Sequence, residues 1–267
     1  MNQNEMHDAN RRWWDISSPD WKKQDEEYWR ECVVNPSKAF EGNSLEFIND
    51  CVGDLSGKSI CVIGSGDNFA AFALAGLGAK VTSTDISQPR LDIAAQRASI
   101  LGQNINFIRG DAADLSIIPD GEFDLVFSSN GFFVWISDLS AVFSEVIRVL
   151  KPGGYYIFYD IHPFMRPWKV QTVIEMEKPY FDTGPFKWTE DNQVTYEFHW
   201  MLSDIINSLV KNGLIICRIA ETAARYSNYW AGRYYGYDKD QSLLDWHSNP
   251  RAGLPVWLTV ASQKLPL

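Results

Sequence analysis

Two glycines and an aspartate carry the clearest chemistry in this sequence. Gly64 and Gly66 stand in the run VIGSGDN, and Asp85 ends the run KVTSTD further along the chain. Glycines let a chain turn sharply and bring bare backbone N–H groups close to a ligand, at the positive end of the helix that follows. An acid closing the next strand can accept hydrogen bonds from the diol of a ribose. Residues 59–85 therefore read as a nucleotide-binding unit, against the plainer reading of a tight strand-to-helix turn with no ligand. A complete dinucleotide fingerprint needs a glycine at position 69, which is Phe69, and this counts against a pyrophosphate packed on the helix start. Two histidines, His162 and His199, could take up a proton if the reaction releases one; each could equally be a structural hydrogen-bonder.

The elements that must position these groups follow from hydrophobic periodicity. The apolar run 60–63 suits a strand buried on both faces of a parallel sheet, and the Ala- and Leu-rich stretch 69–77 suits a helix ended by Gly76 and Gly78. A strand is predicted over 80–84, a helix over 89–101 with Ser87 as cap and Pro89 in its first turn, and strands over 105–109 and 123–127. A helix over 139–150 and a fifth strand over 155–159 continue the alternation, followed by a helix over 203–212 and strands over 214–219 and 256–264. In open parallel sheets ligands bind beyond the carboxyl ends of the strands, so Gly64, Asp85, Asp111 and Asn130 should face one crevice.

Composition narrows the partners. A chain of 267 residues with 45% hydrophobic content can bury one sizeable α/β core, and a formal charge of −10 argues against nucleic-acid or anionic-membrane partners, which need clustered Lys and Arg. Cys32, Cys51, Cys61 and Cys217 lack metal-ligand spacing, so no metal is expected. No signal peptide or apolar stretch long enough to span a bilayer is visible, and a cytoplasmic location is expected.

The order VIGSGDN, TDIS, GDAADLSIIPDGEFDLVFSS and EVIRVLKPGGYYIF resembles the class I S-adenosylmethionine-dependent methyltransferases, especially their small-molecule branch, over roughly residues 55–160; RVLKPGG is its most specific part. The resemblance implies a Rossmann-like α/β fold: a seven-stranded, mostly parallel sheet with helices on both faces and an antiparallel last strand. It also implies S-adenosylmethionine as cofactor and S-adenosylhomocysteine as product. Gly64 and Gly66, with Asp67 and Asn68 in the same turn, would approach the methionine part, and Asp85 would hold the ribose hydroxyls. Ile86 would pack on adenine, Asp111 and Ala112 would read its amino edge, and Asn130 would lie near the methionine moiety. Two positions depart from the family. Val62 stands where an acid is often found, so another side chain or water must meet the cofactor's ammonium group. Asn68 replaces a glycine, which a left-handed turn tolerates in Asn. A sulfonium ligand carries no pyrophosphate, which makes the third glycine dispensable, and an acidic crevice suits its positive sulfur.

The flanks should decide the acceptor. Residues 1–54 are read as an N-terminal helical lid region, whose Trp13, Trp14, Trp21, Tyr28 and Trp29 are either a packed helix pair or a cover that excludes water. Residues 55–267 are read as one domain, with insertions at about 161–202 and 221–255 that exceed ordinary connectors. The second holds Tyr226, Tyr229, Trp230, Tyr234, Tyr235, Tyr237 and Trp246, a flat-ligand pocket or a small satellite core. Trp14, Tyr28, Phe132, Tyr229 and Trp230 are the substrate and lid candidates. The function expected is methyl transfer to a small molecule by in-line displacement, driven by positioning and desolvation, in a monomer or homodimer. The alternatives are a catalytically silent cofactor-binding module and a nicotinamide-dependent oxidoreductase.

Overall fold

In the computed structural model, residues 3–24, 27–169, 172–190, 192–232 and 240–266 are described; the Trp21 side chain and Tyr234, Tyr235 and Tyr237 lie outside them. Three helices precede the sheet: α1 (Gln3–Gln24), α2 (Tyr28–Val34) and α3 (Ser44–Val52). Then β1 (Ser59–Ile63), α4 (Phe69–Gly76), β2 (Lys80–Asp85), α5 (Gln88–Leu101), β3 (Asn106–Arg109), β4 (Phe123–Ser128), α6 (Leu139–Val149) and β5 (Leu150–Ile161) follow in the predicted order, with β5 starting at Leu150 and running through the Lys-Pro-Gly-Gly stretch instead of starting at Tyr155. The chain continues with a hairpin, β6 (Phe186–Glu190) and β7 (Gln193–Glu197), then α7 (Leu202–Lys211), β8 (Leu214–Thr222) and β9 (Trp257–Lys264).

The sheet has seven strands in the order β3-β2-β1-β4-β5-β9-β8. The first five run parallel, and β9 pairs antiparallel with both β5 and β8. The last strand is thus inserted, and β8 forms the edge. β1 is central and lies between β2 and β4, with Ile60 opposite both Val81 and Leu125. A strand covered on both faces has no polar side to alternate with, and this accounts for its continuous apolar run. One face of the sheet packs Ile60, Val62, Phe127 and Tyr159 under α3 and α4. The other packs Cys61, Ile63, Val126 and Phe158 under α6 and α7. Helix α4 buries Ala70, Ala71, Phe72, Ala73 and Leu74 because it is wedged between the sheet and α2, so its hydrophobicity is nearly all-round.

Local details differ from expectation in three places. Ser87 occupies the N-cap position of α5, but its hydroxyl makes no hydrogen bond; its N–H instead donates to Asp85 Oδ1. Asp138 caps α6 by accepting from the Ala141 N–H at 3.0 Å. The β6–β7 hairpin lies within the insertion at 161–202, where Thr, Glu and Lys mask the strand signal; β6 is exposed, while β7 buries Thr195 and Tyr196. Among the described residues no helix is long and apolar enough to cross a membrane, and no cluster of His, Cys, Asp or Glu could hold a metal ion.

Candidate functional site

A cavity of about 940 Å³ opens at the carboxyl ends of β1 to β5, and the turn after β1 forms its floor. Gly64 has φ +55° and Gly66 φ +52°. At Gly64 a side chain is excluded outright, since a Cβ there would lie 2.4 Å from the Phe132 ring. At Gly66 a Cβ would meet nothing within 4 Å. Its backbone is bare toward the open space, as a close-approaching ligand requires. Asn68 also takes a left-handed conformation, φ 63°; its amide donates to the Gly66 carbonyl at 2.8 Å and accepts from Ser83 Oγ. The Asn68 side chain therefore holds the turn in place of the glycine it replaces.

Asp85 is 7% exposed and belongs to this turn. Oδ2 accepts from the Gly66 N–H at 2.8 Å and Oδ1 from the Ser87 N–H at 2.9 Å. Burial raises its pKa, and these two N–H groups oppose the shift. Each carboxylate oxygen keeps a further lone pair, so a buried acceptor remains for a diol. Ile86, Ala112 and Asn130 line the same cavity, as do Asp67 and Asp111. The lining fits a nucleoside with a positively charged tail: a glycine backbone with no side chain in the way, a carboxylate for the ribose and apolar walls for the base.

Helix α1 lies across the β2–β3 end of this cavity. His7 Nδ1 donates to Asp111 Oδ2 at 2.6 Å, and its Nε2 accepts from Ser137 Oγ at 2.7 Å, an arrangement that places the ring proton on Nδ1. Burial works to raise the Asp111 pKa, but the hydrogen bonds from His7 and from the Ala113 N–H outweigh it and hold the carboxyl below its usual range. Asn10 exchanges two hydrogen bonds with the Tyr196 backbone on β7, at 2.9 and 2.7 Å. Trp13 stacks on Trp135 at 5.8 Å, and Trp14 meets Trp135 edge-on and lies against the Arg90 guanidinium, which pairs with Asp67. Replacing His7 with alanine should release this end of α1: deuterium exchange over residues 5–18 is expected to speed up by about tenfold or more, the loss of one to two buried hydrogen bonds. Unchanged protection would refute the latch.

At the β4–β5 end, rings form a continuous wall. Tyr159 lies 6.2 Å from Phe127 and 5.8 Å from Trp257, and Tyr229 lies 5.4 Å from Trp257. Tyr28 sits edge-on to Phe69 at 5.2 Å and donates its hydroxyl to the Lys38 carbonyl. Trp14, Tyr28, Phe132 and Tyr229 line the cavity; Trp230 stands behind Tyr229, buried, and does not. Trp246 is exposed and packs on His247. The aromatic insertion is therefore part wall, part core and part surface.

Neither histidine expected to serve catalysis reaches the cavity. His162 is fully buried; its Nε2 donates to Glu221 Oε1 at 2.7 Å and its Nδ1 accepts from the Phe164 N–H at 3.1 Å. Burial lowers its pKa despite Glu221. Alternation past the end of β5 turns Ile161 to the cavity and His162 away from it. His199 packs on Phe186 at 4.6 Å with Nε2 3.2 Å from Glu197, and burial lowers its pKa too.

Two carboxylates take part that the sequence reading passed over. Asp160, at the end of β5, accepts N–H bonds from Gly131, Phe132, Phe133 and Ile161 at 2.9, 3.2, 2.9 and 2.7 Å, fixing the loop that carries Asn130. Its signal was the same as that of Asp85, an acid closing an apolar strand. Glu41 lines the cavity beside Tyr159 and carries no such signal.

Comparison with known proteins agrees with this architecture. Residues 61–158 match the methyltransferase domain family. The chain is 29% identical over 151 residues to the ubiquinone biosynthesis O-methyltransferase of Thiobacillus denitrificans, covering 57% of this chain and 58% of that one. It thus spans somewhat more than half the length of that curated relative. The S-adenosylmethionine-dependent methyltransferase of Mesorhizobium loti superposes with a TM-score of 0.60 at 20% identity, over 83% of this chain and 98% of that one. The [4+2]-cyclase SpnF does so with a TM-score of 0.57 at 19% identity, over 83% and 80%. Both likenesses concern the fold. Residues 61–158 thus carry a methyltransferase domain, set in a strand order and around a glycine turn shared with the fold of S-adenosylmethionine-dependent methyltransferases.

Proposed function

We propose that the protein transfers a methyl group from S-adenosylmethionine to a small-molecule acceptor, leaving S-adenosylhomocysteine. The observation that carries this reading is one cavity that runs from the Gly64–Asp85–Asp111 end to a wall of Tyr159, Tyr229 and Trp257, giving a nucleoside and a second small molecule adjoining places. When bound, the cofactor supplies an electrophilic methyl group on a sulfonium. The chain's contribution is to hold and enclose: Asp85 and the bare Gly66 backbone orient the nucleoside, Phe132 closes over Gly64, and α1 with the β6–β7 hairpin covers the opening. Two reactants held in line gain effective molarities of about 10⁵ M or more, so positioning and water exclusion can provide most of the rate. With His162 and His199 away from the cavity, neither is assigned as a base in this reading. Residues 1–54 act as the lid and 55–267 as the transfer domain, in a cytoplasmic monomer or homodimer.

The acceptor class draws support from the relative that is named for O-methylation in ubiquinone biosynthesis. The likeness to a cyclase shows that this fold carries other chemistry, so transfer itself must be measured. Calorimetric titration is expected to show S-adenosylhomocysteine binding and no heat with NAD; the reverse would sink the reading. A screen with methyl-labelled S-adenosylmethionine over small phenols, carboxylates and amines should label at least one acceptor. Binding without any transfer would favour a silent cofactor-binding module.

A further inference from the structure

The methionine part of the cofactor bears an ammonium, and drawing a cation out of water requires an acceptor of opposite charge. Val62, at the family's acidic position, is 1% exposed within the core and offers none. Most carboxylates lining the cavity already have partners: Asp67 pairs with Arg90, Asp85 with the N–H groups of Gly66 and Ser87, Asp111 with His7, and Glu197 with His199. Glu190 lies on the exposed strand β6. Glu41 is different. It lines the cavity, its Oε2 is buried, and that oxygen accepts no hydrogen bond.

Its place in the fold is equally specific. Phe40, the preceding residue, packs edge-to-face on Phe127 at 5.5 Å, and Phe127 is the register partner of Val62 between β1 and β4. Phe40, Val62, Phe127 and Tyr159 belong to one cluster on the same face of the sheet. The segment between α2 and α3 therefore delivers a carboxylate to the cavity from the sheet face on which β1 supplies only a valine.

We propose that Glu41 is the carboxylate that receives the methionine ammonium of the bound cofactor, in place of the acid missing at position 62. The proposal rests on the S-adenosylmethionine reading above. Burial raises the Glu41 pKa and Arg225 opposes that shift without reaching ion-pair distance. A buried acid in that condition gains most from an added cation. Because Glu41 comes from the N-terminal region, the same contact would tie that region to the ligand.

The test is a set of titrations on the full chain with three probes: S-adenosylhomocysteine, its analogue with hydrogen in place of the ammonium, and 5′-deoxy-5′-methylthioadenosine, which lacks the amino-acid tail. For Glu41→Gln, affinity for S-adenosylhomocysteine is expected to fall about 10- to 100-fold, the range for a charge-assisted hydrogen bond, while the other two bind within about twofold of wild type. Equal loss for all three probes, or no loss for any, overturns the assignment. Retained 5′-deoxy-5′-methylthioadenosine binding reports that the variant is folded; if Glu41→Gln does not fold, Glu41→Ala is read in the same way. A wild-type protein that binds none of the three instead overturns the cofactor reading on which the proposal depends.

Discussion

Replacing Asp85 with alanine is expected to weaken S-adenosylhomocysteine binding by about 100-fold or more, roughly 3 kcal/mol. The carboxylate has two tasks at once. It accepts the Gly66 N–H at 2.8 Å and the Ser87 N–H at 2.9 Å, so it shapes the turn, and in the proposed complex its remaining lone pairs receive the ribose hydroxyls. Alanine loses both. Since the ribose is common to the whole ligand series, 5′-deoxy-5′-methylthioadenosine should lose affinity to a similar degree, in contrast with the selective loss expected at Glu41. The fold should survive, because only two N–H groups, those of Gly66 and Ser87, lose a partner and the apolar core of the sheet is untouched. Calorimetry decides the matter: an unchanged dissociation constant for Asp85→Ala would refute the ribose role.

The largest effect on stability is expected at Asp160. This side chain is 3% exposed and gathers the N–H groups of Gly131, Phe132 and Phe133 in succession, together with that of Ile161. Four backbone donors, those of Phe132 and Phe133 buried, share one acceptor group in a small, closed network. In Asp160→Ala those donors lose their partner, and water must enter or the loop must shift. A loss of about 3 kcal/mol in chemical denaturation is expected. At that cost a chain of this size should melt roughly 6–12 °C lower. Asp160→Asn should do little better, since its amide nitrogen would face N–H groups instead of accepting from them. The displaced loop carries Asn130 and Phe132, and Phe132 closes over Gly64, so cofactor affinity should fall with stability. A variant within about 1 kcal/mol of wild type would show that the loop does not depend on Asp160.

The parts of this protein that the sequence determined are those in which one local pattern has one physical solution. Continuous apolar runs such as ICVI must be strands covered on both faces, and β1 is central. A glycine pair between such a strand and an Ala-rich helix must turn with positive φ, as Gly64 and Gly66 do. Asp85, Asp111 and Asn130 converge because parallel strands put their carboxyl ends on one edge. The family resemblance added the cofactor through the same residues.

What only the tertiary structure decided are the contacts between segments far apart in the chain. His7 reaches Asp111 over 104 positions and Asn10 reaches Tyr196 over 186, and neither pairing leaves a periodic trace in the sequence. The β6–β7 hairpin, lacking a buried face with regular alternation, was invisible for the same reason. His162 sat at the right strand end, but which way a side chain turns beyond that end is set by packing, and packing sent it to Glu221. Glu41 shows the converse. Nothing near it in the chain marks it as chemical, yet Phe40 anchors it beside Phe127 and Tyr159, where a buried oxygen is left without a partner. Residues 59–85 thus set out the groups proposed to hold the nucleoside. The fold decides what meets its charged tail, because that depends on which distant segment is brought to the cavity.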